Sequence, residues 1–371
     1  MKYYIIAGEA SGDLHGSNLM KAIYQGDETA NIRFWGGDLM QNVGGKLVKH
    51  YRELAFMGFV EVIFNLKTIF KNIAICKKDI LDFNPDVVVF IDYPGFNMRI
   101  AKWAKSKKIK THYYISPQIW AWKENRIAAI KRDFDNLYVI LPFEKDFYEK
   151  KHDFAVEFVG HPLIDAIHDR KKIDYNDFLS QNKLEDKPII AILPGSRKQE
   201  ISKMLSVILS VVDDFEDHQF LIAGAPSQEF SFYEQFLTNK KVKFIANKTY
   251  DLLSHSAAAL VTSGTATLET ALFKVPEVVC YKGSWASYQI AKRIITLKYI
   301  SLVNLIMDKQ VVTELIQENC NHQSIKVELT KILEPVYRMN LLREYDVLEQ
   351  KLGGLGASKK TAKLIIENSK K

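Results

Sequence analysis

The sequence predicts an α/β protein of two doubly wound domains that face each other across a cleft. Apolar runs such as 86–91 and 189–193 are continuous rather than alternating, which is typical of parallel strands buried on both faces. A turn and a segment of helical periodicity follow, as the spacing of Ile201, Leu205 and Ile208 indicates. This alternation recurs along most of the chain and predicts parallel sheets flanked by helices.

Length and composition agree with this prediction. The 371 residues are enough for two domains, and 47% hydrophobic with 26% charged residues is typical of a soluble globular protein. The polar, weakly periodic segment 168–187 predicts the linker. We therefore expect domains at residues 1–167 and 168–345 and a helical tail at 346–371. The glycine pair before the last helix, Gly353 and Gly354, would let that helix cross back to the first domain.

The spacing of cysteine and histidine predicts neither a disulfide framework nor a metal site. Cys76, Cys280 and Cys320 lie far apart, and the nine histidines show no metal-binding spacing. We expect no metal, no cofactor and a reducing, cytoplasmic environment. No apolar run is long enough for a transmembrane helix, and the apolar N-terminal run is too short for a signal peptide.

Two stretches of the first domain have unusual composition. Residues 67–132 contain 14 Lys or Arg and 5 Asp or Glu. The charge of this segment is therefore +9, whereas the net charge of the whole chain is +7. That excess indicates either a solvated basic face or attraction to an anionic surface. Residues 53–75 are rich in large apolar side chains, which predicts a core helix, an interfacial surface or acyl-chain groove, or both.

The first strand, Lys2–Ala7, runs into a loop with Gly8, Gly12 and Gly16. This spacing matches neither the dinucleotide fingerprint nor the phosphate loop, but it leaves backbone N–H groups open to a ligand. At the end of the strand at 86–91, Asp92 occupies a position suited to chemistry. The alternative is that Asp92 caps the helix expected from Asn97.

Two further loops of the chain favour binding. The segment 116–126 combines Gln118, Trp120, Trp122 and Arg126, and tryptophans exposed on a loop suggest a binding wall. In the second domain, Pro194 and Gly195 end a strand before Ser196 and Arg197.

A guanidinium beside free N–H groups suits a phosphate or diphosphate, and Ser196 can cap the next helix. The alternative is an ordinary turn with a solvated arginine.

A second strand end supports a nucleotide diphosphate site. The run Ser263, Gly264, Thr265, Ala266 and Thr267 opens a helix, and its small residues let the backbone approach a phosphate.

Glu269 follows one turn later and can accept two hydrogen bonds from a ribose diol. The alternative is a Ser/Thr N-cap with a capping-box acid. Together with Arg197, the nucleotide site becomes the better interpretation.

Nine motifs together resemble the lipid-A-disaccharide synthase family. In chain order from residue 8 to about 305 they are GEASGDLHG, ELAFMGFVEV, FIDYPGFN, YISPQIWAWKENRI, LPFEKDFY, FVGHPL, ILPGSRKQEI, SGTATLE and YISLVNL. The resemblance implies a GT-B fold of two Rossmann-like domains. It also implies inverting glycosyl transfer at the cytoplasmic leaflet of a Gram-negative inner membrane, with peripheral contact to its anionic surface.

The implied donor is UDP-2,3-diacylglucosamine and the implied acceptor is 2,3-diacylglucosamine 1-phosphate. The products would be a β(1→6)-linked disaccharide 1-phosphate and UDP. Inversion needs a base that takes a proton from the acceptor hydroxyl.

The resemblance also implies roles for individual residues. Asp92 would be the base, Arg197 would clamp the diphosphate and Glu269 would hold the ribose. The nucleotide-sugar site would comprise Ser196, Arg197, Ser263, Gly264, Thr265, Ala266, Thr267, Glu269 and Asn304. The residues expected to line the cleft are Gly8, Glu9, Ser11, Gly12, Asp13, Gln118 and Trp120. No metal is required, and the absence of a DxD motif agrees.

Two positions depart from the family's motifs. Gly95 stands where the D-A-P-D-F-N motif has its second acid, so Asp92 must act alone or with a group from another loop. Val303 replaces a proline, which puts the shape of that loop in doubt.

Two other functions remain alternatives. A UDP-sugar epimerase of the same architecture would need no lipid acceptor, and a non-catalytic protein could bind the membrane peripherally. Nucleic-acid binding is not expected, because aromatic and basic residues do not interleave in a recognisable module. The oligomeric state is open, with a homodimer as one option.

Overall fold

The structure is a computed structural model that describes residues 1–54, 66–225, 228–237, 241–283 and 298–370. The chain divides into two compact units. Unit 1 comprises Met1–His168 with Leu352–Lys371, and unit 2 comprises Asp169–Lys351. Residues 55–65 of the apolar stretch predicted at 53–75 lie outside the described residues.

Unit 1 contains a parallel sheet of seven described strands in the order β3-β2-β1-β4-β5-β6-β7. The strands are β1 (Lys2–Ala7), β2 (Asn31–Gly36), β3 (Lys46–His50), β4 (Val87–Ile91), β5 (Lys110–Tyr114), β6 (Asn136–Val139) and β7 (Glu157–Phe158). The helices are α1 (Ala10–Gly26), α2 (Asp38–Val43), α3 (Leu66–Phe83), α4 (Pro94–Ser106), α5 (Ile119–Trp122), α6 (Ile127–Asp133), α7 (Pro142–Asp146) and α8 (Pro162–His168). The strand order reverses between β1 and β4, which creates a ligand-binding crevice at their carboxyl ends.

The core of unit 1 lies on both faces of this sheet. Tyr3 and Ile5 of β1 belong to one apolar cluster and Tyr4 and Ile6 to the other, and all four are fully buried. Successive residues of a strand point to opposite faces, so a strand covered on both sides must be apolar throughout.

Unit 2 repeats the arrangement with six described parallel strands in the order β10-β9-β8-β11-β12-β13. They are β8 (Ile189–Leu193), β9 (Gln219–Gly224), β10 (Val242–Ala246), β11 (Ser256–Thr262), β12 (Glu277–Tyr281) and β13 (Thr313–Ile316). The helices are α9 (Tyr175–Asn182), α10 (Lys198–Ile208), α11 (Phe230–Leu237), α12 (Thr249–Ser254), α13 (Thr265–Leu272), α14 (Leu302–Met307), α15 (His322–Leu333) and α16 (Pro335–Lys351). Here the order reverses between β8 and β11.

Three strands were not predicted from the sequence, namely β2, β3 and β13. β3 and β13 lie at sheet edges, where most of their side chains are partly exposed. Edge strands carry polar residues and lack a continuous apolar run, so periodicity alone does not find them.

Helix α3 combines a buried face with exposed apolar side chains. Ile73, Cys76 and Ile80 are buried in the unit 1 core, whereas Phe70 is 62% and Leu81 52% exposed. The described part of the stretch 53–75 is thus a core helix that also leaves apolar surface uncovered. None of the described helices combines the length and apolarity needed to cross a bilayer.

The last helix, α17 (Ala357–Lys370), belongs to unit 1, where Ile365 and Ile366 are buried in the core. Asp165 of α8 accepts hydrogen bonds from the N–H groups of Gly356 (2.7 Å) and Ser358 (2.9 Å) at the start of α17. The return to unit 1 begins at Leu352, later than the predicted start of the tail at 346, because α16 continues to Lys351.

We expect Asp165→Ala to lower the free energy of unfolding by about 1–3 kcal/mol. The substitution leaves two N–H groups at the start of α17 without their acceptor. Urea unfolding measures the change. Asp146→Ala, which removes only an exposed i,i+4 pair with Lys150, is the control and should change stability by less than about 0.5 kcal/mol. Equal effects of the two substitutions would contradict the capping role.

Candidate functional site

The predicted chemistry-bearing residues follow the two strands at each switch point. In unit 1, the loop from Gly8 follows β1 and Asp92 follows β4. In unit 2, Arg197 follows β8 and Ser263 follows β11. Each pair of strands is adjacent and parallel, so its two loops emerge at the same edge of the sheet.

Asp92 begins a strained turn between β4 and α4. Asp92 (φ 44°) and Tyr93 (φ 50°) both adopt left-handed backbone conformations, each costing about 1–3 kcal/mol. The buried Asn97 holds this turn by donating from Nδ2 to the carbonyls of Ile91 (3.3 Å) and Asp92 (2.6 Å). The Tyr113 hydroxyl donates to the Asp92 carbonyl as well, at 2.9 Å.

The sequence had indicated no positioning role for Asn97 or Tyr113. An amide in the first turn of a helix is the only signal that could have suggested one. Which carbonyl that amide reaches depends on the fold.

The alternative that Asp92 caps a helix from Asn97 is wrong. Helix α4 begins at Pro94, its N-cap residue is Tyr93, and no side chain caps it. The Asp92 carboxylate accepts a hydrogen bond from the Tyr93 N–H and is otherwise uncommitted among the described residues. A carboxylate that is not needed for the helix is available for a reaction.

Burial and, to a smaller extent, the nearby charge of Glu9 raise the pKa of the Asp92 carboxyl to about 6. The Tyr93 N–H acts in the opposite direction. A general base is most effective when its pKa lies near the working pH, so the environment of Asp92 suits proton abstraction at neutral pH.

Gly8 allows the first loop to approach the Asp92 turn. A Cβ at Gly8 would lie 2.2 Å from the Tyr93 ring, so no other residue fits there without movement. The contact brings Glu9, the N-cap residue of α1, near Asp92, and Glu9 and Ser11 are exposed. Glu9 is therefore an acid from another loop that lies near Asp92.

Gly95, the position of the missing second acid, borders open space, because a Cβ there would meet no atom within 4 Å.

Asp13 has a structural role. It is buried, and its carboxylate accepts from the N–H groups of Gly37 (2.7 Å), Leu39 (3.0 Å) and Met40 (3.0 Å). These bonds fasten α1 to the start of α2. Gly12 is also buried, on the face of α1 that packs against β1. Both positions face inward in this structure, and their place in the lining of the cleft stays a prediction.

The tryptophan loop is anchored by an acid that sequence analysis missed. Trp120 donates from Nε1 to the buried carboxylate of Glu144 (3.3 Å), which also accepts from the Ser116 hydroxyl (3.0 Å). Burial raises the pKa of Glu144 to about 7, although these bonds act in the opposite direction. Trp120 is half-buried against Phe143, and Gln118 is exposed.

Arg197 occupies the N-cap position of α10, and 78% of its side chain is exposed. Its guanidinium pairs with the Glu200 carboxylate at 2.8 Å. The prediction that Ser196 caps this helix is wrong, because α10 has no side-chain cap. Gly195 has φ 102°, a left-handed conformation that turns the chain after β8.

The start of α13 offers backbone donors in open space. Gly264 is its N-cap residue, and a Cβ there would meet no atom within 4 Å. Thr265 is exposed, and the first N–H groups of a helix have no intrahelical acceptor. The Ser263 hydroxyl donates to the carbonyl of Ile300 (2.8 Å). Thr267 is fully buried and its hydroxyl donates to the Gly264 carbonyl (2.9 Å). Its contact with the ligand stays a prediction.

Glu269 is not a capping-box acid, because the N-cap residue of α13 is glycine and no side chain caps this helix. The Tyr250 hydroxyl donates to Glu269 Oε1 at 2.8 Å and orients the carboxylate. Burial raises the pKa of Glu269, and the bond from Tyr250 lowers it. The second oxygen has no partner among the described residues. Tyr250, on α12, was not predicted.

Asn304 is committed to the fold. It is fully buried, and its amide donates to the Val312 carbonyl and to Glu314, both at 2.9 Å. Its oxygen accepts from the N–H groups of Val311 (2.7 Å) and Val312 (3.0 Å). Because an amide has two donors and two acceptor sites, none is left for a ligand. The contact of Asn304 with the nucleotide sugar stays a prediction, and it requires one of these bonds to be exchanged.

No cluster of three or more His, Cys, Asp or Glu suited to a metal ion occurs in the described part of the chain. The three cysteines are buried and free.

Comparison with known proteins identifies sequence relatives over nearly the whole chain. A family model described as "Lipid-A-disaccharide synthetase" matches residues 3–360. The "Lipid-A-disaccharide synthase" of Syntrophus aciditrophicus is 38% identical over 99% of this chain and 97% of that protein. That of Geobacter metallireducens is 36% identical over 98% of this chain and 96% of its own length.

Solved structures with a similar fold are more distant in sequence. The S. aureus MnaA–UDP co-structure aligns with a TM-score of 0.70 at 12% identity, over 99% of this chain and 96% of that one. The Methanocaldococcus jannaschii UDP-GlcNAc 2-epimerase in complex with UDP-GlcNAc and UDP aligns with a TM-score of 0.62 at 15% identity, over 100% of both chains. A structure described as the glycotransferase of kitacinnamycin gives 0.63 at 11% identity, over 99% and 98%. The predicted fold class, with two doubly wound α/β domains, is confirmed.

We expect Glu9→Gln to lower the pKa of Asp92 below about 6, because the substitution removes a neighbouring negative charge. A pH titration of the Asp92 carboxyl carbon by NMR measures the shift. Glu28→Gln, at an exposed position after α1, is the matched control and should leave the titration unchanged. An unaltered pKa in Glu9→Gln would show that burial alone raises it.

Proposed function

We propose a reaction and a set of reacting residues for this chain, which belongs to the lipid-A-disaccharide synthase family and is a glycosyltransferase. The chain transfers 2,3-diacylglucosamine from its UDP derivative to 2,3-diacylglucosamine 1-phosphate. The products are the β(1→6)-linked disaccharide 1-phosphate and UDP, with inversion at the anomeric carbon. Unit 1 serves the acceptor and unit 2 binds the UDP-sugar.

The observation that carries the catalytic proposal is the state of Asp92. Its carboxylate follows a central strand at the switch point of unit 1, in a strained turn that Asn97 and Tyr113 hold. Its pKa is raised to about 6, and it does not cap the helix that follows. A strained, partly buried acid without a structural task is typical of a catalytic position.

Asp92 acts as the general base. It accepts the proton of the acceptor 6-hydroxyl while the oxygen attacks the anomeric carbon of the donor from the face opposite the diphosphate. The bond from that carbon to the diphosphate oxygen breaks, and its electron pair leaves with UDP. Burial and the charge of Glu9 together raise the pKa of this base to about 6.

In unit 2, Arg197 stabilises the charge that develops on the diphosphate. Its side chain exchanges Glu200 for the phosphate oxygens at small cost, because an exposed ion pair contributes little free energy. The Ser196 loop, Ser263 and the free N–H groups of Thr265 and Ala266 supply further donors. Glu269, oriented by Tyr250, accepts from the ribose hydroxyls. These groups supply the positive charge that the leaving group requires, so no step uses a metal ion.

The acceptor and product are lipids, and the proposal therefore includes peripheral contact with the cytoplasmic leaflet of the inner membrane. Support comes from α3, where exposed Phe70 and Leu81 occur beside Lys71, Lys77 and Lys78. Apolar side chains flanked by lysines suit an anionic bilayer surface.

A homodimer is also proposed, and the exposed apolar residues of α16, Val336 and Met339, are surface that such a contact would bury. Light scattering tests it.

Acceptor-dependent UDP release tests the reaction. Purified protein is given UDP-2,3-diacylglucosamine in detergent, with and without the monosaccharide 1-phosphate and without added metal. Release that requires the acceptor and yields a disaccharide supports the proposal. Epimerised sugar without acceptor would favour the epimerase alternative, and membrane binding without turnover would favour a binding protein.

We expect Asp92→Asn to reduce kcat by at least about 10²-fold without loss of folding, because an amide cannot accept the proton. In the wild type, kcat/KM should rise with pH through about 6 and then level, since only the ionised carboxylate is a base. Asp86→Asn, at the exposed opposite end of the same strand, is the control and should retain activity. Near-full turnover by Asp92→Asn would refute the role.

Arg197→Ala should raise the KM for the UDP-sugar roughly 10- to 100-fold, which corresponds to the loss of one or two charge-assisted hydrogen bonds. Initial rates at varied donor concentration give the value. Lys203→Ala removes an exposed cation from the same helix away from its start and should leave donor kinetics unchanged. Unchanged donor kinetics in Arg197→Ala would contradict the clamp.

A further inference from the structure

The loop after β5 presents two neighbouring cations. Lys123 and Arg126 bracket a 3₁₀ turn, Glu124–Arg126, in which the Arg126 N–H donates to the Lys123 carbonyl at 3.0 Å. The charge of Arg126 acts on the Lys123 ammonium, so the two cations lie near each other. The Lys123 Nζ lies 3.8 Å from the centre of the Trp122 ring, and both cations are half-buried.

Neither cation forms an ion pair with a carboxylate in the described part of the chain. Glu124, the acid between them, pairs elsewhere, because its Oε1 lies 2.7 Å from the Lys151 Nζ and 3.0 Å from the His152 Nε2. Burial and the charge of Arg126 both lower the pKa of Lys123. Two adjacent, partly desolvated cations repel each other, and a bound dianion would relieve that repulsion.

The loop that carries these cations follows β5, the strand next to the one that ends at the proposed base. β5 is the parallel neighbour of β4, and the Asp92 N–H donates to the Tyr114 carbonyl at 3.2 Å. Arg126 is close enough to Tyr113 for its charge to act on that hydroxyl, which donates to the Asp92 carbonyl.

The loop that carries the pair is held rigidly. Ile115 adopts φ 60°, a strained conformation for a β-branched residue. Ser116 and Trp120 both donate hydrogen bonds to the buried carboxylate of Glu144. A fixed loop keeps both cations in place before the ligand arrives, which reduces the entropy lost on binding.

We propose that Lys123 and Arg126 bind the phosphate monoester of the acceptor and so select a phosphorylated sugar. The inference rests on the proposed function and names the residues that recognise its acceptor. Arg126 offers a planar pair of donors to two phosphate oxygens, and Lys123 adds a point charge. C1, which carries the phosphate, and C5, which carries the 6-hydroxymethyl group, both adjoin the ring oxygen, so an anion site near Asp92 holds the phosphate on the side of the ring from which the 6-hydroxyl reaches the base.

The test changes the protein and the substrate together. Values of kcat/KM are measured for Lys123→Gln/Arg126→Gln and wild type, with the acceptor and with the same diacylglucosamine lacking its phosphate. We expect the double variant to lose about 100-fold on the phosphorylated acceptor and little on the other, with donor KM unchanged. Equal losses on both acceptors, or none, would overturn the proposal.

Lys102→Gln/Lys107→Gln removes the same charge from exposed positions of the same basic segment and should preserve the preference for phosphate. Sedimentation with phosphatidylglycerol vesicles tests whether the pair binds the phosphate of a membrane lipid instead. If the Lys123/Arg126 variant loses vesicle binding but still discriminates between acceptors, the pair recognises membrane lipid and the proposal fails.

A wild type without acceptor-dependent UDP release would refute the proposed function rather than this site. Binding of glucosamine 1-phosphate to the full chain, measured by calorimetry, then tests the site. Weaker binding by the double variant supports it, and equal binding overturns it.

Discussion

The candidate site depends on one constraint, the parallel pairing of the central strands in each sheet. β1 pairs with β4, and β8 pairs with β11, and in both cases the connections leave in opposite directions from the pair. Parallel strands end at the same edge, so loops far apart in sequence become neighbours there. In unit 1 this places Gly8 and Glu9 beside Asp92, and in unit 2 it places the loops of Arg197 and Ser263 at the same edge. The same topology therefore brings two loops together at the carboxyl edge of each sheet.

The buried polar side chains divide into two groups according to their hydrogen-bond partners. Asp13, Asp165 and Asn304 are surrounded by backbone partners, and these bonds fasten loops and helix starts. Asp92 and Glu269 have raised pKa values and oxygens that the fold leaves available. Burying a carboxylate without full compensation costs free energy, which a reactive or ligand-binding position repays when substrate arrives. Matching a family motif therefore does not by itself distinguish a ligand contact from an anchor.

The cations of the two proposed anion sites also differ in whether a carboxylate pairs with them. Arg197 is exposed and paired with Glu200, so a diphosphate can displace the carboxylate at little cost. Lys123 and Arg126 are half-buried, and no carboxylate in the described part of the chain pairs with them, because Glu124 lies against Lys151 and His152. The first arrangement suits a donor that must bind and then leave as UDP. The second suits selection of a substrate by its charge, since an uncharged analogue leaves the repulsion between the cations unrelieved.

The sequence by itself determined the fold class, because continuous apolar strands and intervening amphipathic helices have few stable arrangements. It also located the strand ends that carry Asp92, Arg197 and Ser263, since a polar residue after an apolar run is visible locally. Short edge strands such as β3 were missed because their partial exposure removes the apolar signal. Only the tertiary structure decided which polar residues are free to react. Asp13 and Asn304 lie in family motifs just as Glu9 and Glu269 do, but their hydrogen-bonding capacity is used by backbone groups distant in sequence or by the following loop. Burial and the charge of Glu9 on another loop raise the pKa of Asp92, and neither is a property of residues adjacent to it in the chain.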